Sequence, residues 1–224
     1  MELPEASAKP SQHEHEQLRI IANLLCIPVL IFILSGAGSN LLMAQGFDKN
    51  KVSLQLDSMA VKDQALRGQL VKMDQHWHDS LQSSYDSLWG LQKAYDKSNM
   101  KTVDALNRRY GWHKLMQLGK GPRSIIFLII QHSDSLHQIK YLPFVKASVQ
   151  SGTLPGYDYA LLKDRIGLMQ QKKQYYGTQY YWDQMQKKYV PFDIIGGYKA
   201  AEKRRAALGM DSLAVYLELA NRSN

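Results

Sequence analysis

From Leu54 onward, apolar and aromatic residues recur at three- and four-residue steps, and this spacing constrains the fold more than any other feature. Leu54, Met59, Leu66, Leu70 and Met73 mark one stripe, and Trp77, Leu81, Tyr85, Leu88, Leu91 and Tyr95 continue it. A period near 3.6 gathers such residues on one side of a helix, whereas a half-buried strand needs strict alternation. The spacing predicts a helix from about Leu54 that bends near His76 and runs on to Lys97. A short helix over Lys101–Tyr110 follows, stopped by Gly111. Ile125 to Ile130 are six apolar residues in a row, which fit a buried strand or a buried helix equally well by pattern. Pro122 suits the first helical position, so a helix is expected. Further helices are expected over about Ser135–Gln150, capped by Asp134 and kinked or broken by Pro143, and over Tyr157–Gln171.

Beyond these the pattern changes. Gln179-Tyr180-Tyr181-Trp182 and Lys187-Lys188-Tyr189-Val190-Pro191-Phe192 are aromatic and β-branched, and Asp183–Gln186 separate them, which reads as a β-hairpin over residues 179–192. Two helices close the chain, about Tyr198–Leu208 and Ser212–Ala220, with Gly209 stopping the first and Asp211 capping the second. The fold class is therefore mainly α: a single helical domain over residues 45–224 with one small hairpin, preceded by an apolar N-terminal signal or anchor helix.

That N-terminal segment, Leu18 to Leu34, carries Arg19 as its only charge. The small residues Ser35-Gly36-Ala37-Gly38-Ser39 and then Met43-Ala44 follow, as in a secretory signal cut after Ala44. The rival reading is an uncleaved single-pass anchor in the inner membrane, with membrane association through residues 18–34, since the run is about as long as the shortest spanning helices. Either way an exported location is expected, periplasmic or extracellular if the segment is removed. Residues 1–44 hold two basic and four acidic residues, so 26 basic residues face 16 acidic ones in the remainder. Its single cysteine, Cys26, lies in the apolar run, so the domain itself has neither disulfides nor a thiol nucleophile. The positive charge is spread rather than clustered, and nucleic acid is not expected as a partner.

Six short motifs follow one another along the chain: Asp63-Gln64-x-x-Arg67, Tyr110-Gly111-Trp112, Gln131-His132-x-Asp134, Asp164-Arg165, Tyr176-Gly177-Thr178-Gln179, and Arg204-Arg205 with Gly209. With these the chain resembles an uncharacterised bacterial family, domain of unknown function 6624, over about residues 50–220. The resemblance implies a small bacterial protein, often made with a signal peptide, and no activity, substrate or cofactor. His113 stands where a proline would be expected after Gly111-Trp112.

The polar residues of these motifs are the candidates for chemistry. Gln131-His132-Ser133-Asp134 ends the most apolar segment, and a histidine beside a carboxylate can act as general acid or base. The plain alternative is a core histidine with Asp134 as a helix cap. His132, Asp134 and His137 do not have the spacing of a zinc signature, and His76 and His78 diverge by about 200° on a helix, so no metal and no cofactor are expected. Asp164 and Arg165 diverge by about 100° and reach different neighbours: Arg165 is expected to clamp Asp63 or Asp134, and Asp164 to receive Arg67. Such a set fixes packing or binds an anionic substrate. Gly177 allows a close backbone approach beside Thr178 and Gln179. Gly119–Ser124 departs from a phosphate loop, and central glutamates of the kind a muramidase uses are lacking.

Two readings follow. One is a ligand-binding or structural module of the cell envelope, whose partner is a small molecule or an envelope component. The other is a metal-independent hydrolase or lyase with His132 as acid/base, Asp134 or Asp63 orienting it, and Arg67, Asp164, Arg165, Gln131, Thr178 and Gln179 as substrate contacts.

Overall fold

The structure is a computed structural model and describes residues 46–76 and 78–222. The expected signal or anchor segment lies outside these residues. Among the described residues no helix is long and apolar enough to cross a membrane.

Helix α1 spans Lys49–Gln75 and starts where Asp48 accepts from the Lys51 amide at 3.0 Å. A 3-10 turn, Asp79–Leu81, leads into α2, Gln82–Tyr110, which returns along α1. The break predicted near Ser98-Asn99 does not occur. Neither residue forces a helix to end, and burial of Asn99, Met100 and Val103 keeps that turn helical. The predicted apolar stripe holds in part: Leu70 and Tyr85 are buried and Met59 packs against the core. Leu54 and Leu91 are exposed, while the inward face carries Val52, Leu56, Asp63, Arg67 and Leu70 on α1 and Tyr85, Gln92, Asn99 and Val103 on α2. Gly111, at φ 79°, ends α2 as expected.

After α3, Trp112–Leu115, the apolar run forms α4, Lys120–His132. It packs against α1, α2 and α5 and buries Ile125, Ile126, Phe127, Ile129 and Ile130. Helix α5, Ser135–Gln150, is capped by Asp134 and runs uninterrupted through Pro143. Helix α6, Gly156–Met169, packs on α5. The hairpin pairs β1, Tyr180–Asp183, with β2, Lys188–Pro191, antiparallel, with Trp182 opposite Tyr189. Helices α7, Gly197–Ala206, and α8, Leu213–Arg222, follow. The start of α8 differs from expectation: Ser212 Oγ, not Asp211, accepts from the Val215 amide. Asp211 instead offers its carbonyl to the buried Arg205.

Candidate functional site

Two i,i+4 polar pairs face each other across α1 and α2. Asp63 accepts from Arg67 Nε through both oxygens at 3.1 and 3.2 Å. From α2, Gln92 Nε2 donates to Asp63 at 2.9 Å and to Asp96 at 3.0 Å. Arg67 reaches across to Asp96 through Nη2, and Gln64 closes on Asp63 at 2.9 Å. One guanidinium and one amide thus hold two carboxylates together.

The C-terminus of α4 delivers His132 into this cluster. Its side chain is 2% exposed, and Nδ1 lies 3.3 Å from Asp63 Oδ2. The two atoms are not aligned for a hydrogen bond, and neither ring nitrogen has a hydrogen-bond partner among the described residues. Helix α6 adds Arg165, also buried, whose Nη1 donates to the Gln131 carbonyl at 2.8 Å. The same carbonyl accepts from Gln138 Nε2. Arg165 Nη2 and Gln138 Oε1 are left unpartnered among the described residues, as is Gln92 Oε1. Arg165 forms no ion pair there with a carboxylate. Buried polar groups are nearly always hydrogen-bonded, so this concentration of open valences is unusual.

The electrostatics follow from burial. Desolvation pushes the His132 pKa down to about 4, with the Arg67 and Arg165 charges adding to it and Asp63 opposing, so the imidazole is neutral at pH 7. Burial pushes Asp63 up, but His132 and Arg67 overcome it and hold the carboxyl well below its usual range. An imidazolium is present only below about pH 4, so at neutral pH Arg67 is the charge that keeps Asp63 ionised. Burial raises Asp96 to about 6, against the pull of Arg67 and Gln92. Arg165 is lowered by burial to about 10 and stays charged. Asp63, Asp96 and His132 also offer three ligand atoms within 4.8 Å of one another, a spacing that suits a metal ion.

Of the residues singled out in sequence, Asp63, Arg67, His132, Arg165 and the Gln131 carbonyl meet here. Asp134 does not. It caps α5 through the His137 amide and pairs with the His137 ring at 2.8 Å, on the exposed side. Arg165 clamps neither Asp63 nor Asp134, because the Gln131 carbonyl takes it. Asp164 does not receive Arg67 either. It accepts from the Tyr175, Tyr176 and Thr178 amides and from Thr178 Oγ1 at 2.6–3.1 Å, so Asp164 and Thr178 fold the loop that carries Gly177. Gln179 joins this second network through Gln174, which donates to the Gln179 and Phe192 carbonyls and accepts from the Gln179 amide. The hydroxyls of Tyr157 and Tyr216 stand 3.2 Å apart, and Tyr216 donates to the Thr178 carbonyl. Sequence reasoning missed Gln92, Asp96, Gln138 and Gln174. The signal for the first two was a polar i,i+4 pair on a helix otherwise read by its apolar residues.

No curated protein and no solved structure matches the chain. The model of a family of unknown function matches residues 51–223, which include every residue of both networks. The chain belongs to the family of unknown function DUF6624.

Proposed function

We propose that this protein is a ligand-binding module of the cell envelope, and that its ligand is a small anion of the phosphate or carboxylate class received by Arg165 beside His132. The observation that carries the reading is the Arg165 guanidinium: buried, charged, bonded to one carbonyl, and without a carboxylate partner among the described residues. A buried charge left unpaired costs several kcal/mol, on the order of the net stability of many domains, and a bound anion removes that penalty. Planar donors on Arg165 suit a carboxylate or phosphate. The neutral imidazole beside it adds a hydrogen-bonding group and no competing charge. The envelope part of the reading draws on the apolar run at residues 18–34.

Thermal unfolding of the full chain with inorganic phosphate, sulfate and a series of mono- and dicarboxylates tests it. One anion is expected to raise the midpoint for wild type and not for Arg165→Met. Equal shifts in both proteins would contradict the reading. A second reading, acid–base hydrolysis or lyase chemistry on that anion, draws on the approach of His132 to Asp63. It requires turnover of the bound compound, with loss in His132→Gln.

A further inference from the structure

We propose that Asp63, Asp96 and His132 bind a divalent transition-metal ion of the zinc class. The proposal deepens the anion-binding reading and rests on it only for what fills the open coordination position.

His132 gives the first argument. Its ring is buried, neither nitrogen is hydrogen-bonded among the described residues, and Nδ1 stands 3.3 Å from Asp63 Oδ2. Two ligands of one tetrahedral ion, each about 2.0–2.1 Å from it, stand about 3.3–3.4 Å apart. The separation is that of two ligands sharing an ion.

The carboxylates give the second. A carboxylate has about four acceptor positions. On Asp63, Oδ1 accepts from Arg67 and Gln92 and Oδ2 from Arg67 and Gln64, one Arg67 N–H being shared between the two oxygens, so an ion at Oδ2 takes the place of that shared contact. Asp96 directs Oδ1 to Arg67 and Gln92, which leaves Oδ2 uncommitted among the described residues. Arg67 and Gln92 are therefore outer partners that hold the two carboxylates in place, as metal ligands are commonly held. Three protein ligands leave a fourth position open. The charge on Arg67 opposes a dication, and an anion bridging the ion and Arg165 offsets it, so metal and anion should bind cooperatively. The imidazole favours zinc over magnesium, calcium or manganese.

The test is a Co²⁺ titration of the chelator-stripped full chain, read by visible d–d absorption and thermal unfolding, with and without inorganic phosphate. One Co²⁺ per chain is expected, with intense tetrahedral bands and tighter uptake when phosphate is present. Asp96→Asn, nearly isosteric, and His132→Ala should each weaken uptake about tenfold or more. Arg165→Met should keep Co²⁺ uptake and lose the phosphate effect. No uptake by wild type overturns the proposal, as does uptake that neither Asp96→Asn nor His132→Ala changes. If phosphate still stabilises wild type but not Arg165→Met while no metal binds, the metal site falls and the anion reading stands. If Co²⁺ binds through these residues and no anion responds, the anion reading falls instead.

Discussion

The molecule buries two polar networks, and they are finished to different degrees. Around Asp164, a carboxylate collects three backbone amides and a hydroxyl, and Gln174 collects two carbonyls and an amide. Around His132, charged and polar groups of α1, α2, α4 and α6 converge, but His132, Arg165, Gln138 and Gln92 keep atoms without partners among the described residues. A saturated buried network specifies structure, and an unsaturated one carries a cost that a ligand can lift. The comparison teaches that neighbouring motif residues, such as Asp164 and Arg165, serve opposite ends.

The largest effect should come from the saturated side. Asp164→Ala strands three amides and is expected to cost about 3–5 kcal/mol, measured by urea unfolding. A loss below about 1 kcal/mol would break the distinction. Next is Asp158, a buried carboxyl in the first turn of α6 whose pKa burial alone raises to about 7. The folded state holds this proton more tightly than the unfolded chain does. Its contribution to stability therefore falls as pH rises from about 4 to about 7, and stays low above that. Asp158→Asn should remove that loss, gaining on the order of 2–4 kcal/mol over wild type at pH 8 and less at pH 5. Equal differences at both pH values would show that Asp158 has an unrecognised partner. Gln174→Ala should cost about 2 kcal/mol through its orphaned carbonyls, with no change in any anion response.

How far the sequence reached follows the same divide. Helical spacing located most helices, and the aromatic runs located the hairpin. The central site was half legible: Asp63, Arg67, Gln131, His132 and Arg165 stood out as polar motifs, but Gln92 and Asp96 did not. Apolar periodicity placed Leu91 inward, while the face that Tyr85 buries continues seven residues on at Gln92 and leaves Leu91 exposed. Ser98-Asn99 read as a helix end because local propensity cannot see that burial holds the turn. Asp134 looked catalytic and Asp164 looked like a substrate contact, because a sequence shows a carboxylate and not the amides that will fold onto it. Gln174 had no signal, since its role is to imitate a strand's backbone.

The smallest stability effect is expected where the functional effect is largest. His132→Gln gives up no formed hydrogen bond and should lie within about 1 kcal/mol of wild type. Unfolding of the full chain by urea, with and without the stabilising anion, for wild type, His132→Gln and Asp164→Asn, tests the central claim most directly. The account predicts that His132→Gln keeps its unfolding free energy and loses the anion response, while Asp164→Asn loses stability and keeps the response. A His132→Gln protein that loses several kcal/mol, in a chain whose wild type no anion stabilises, would contradict it: the cluster at the end of α4 would then be structural like its neighbour.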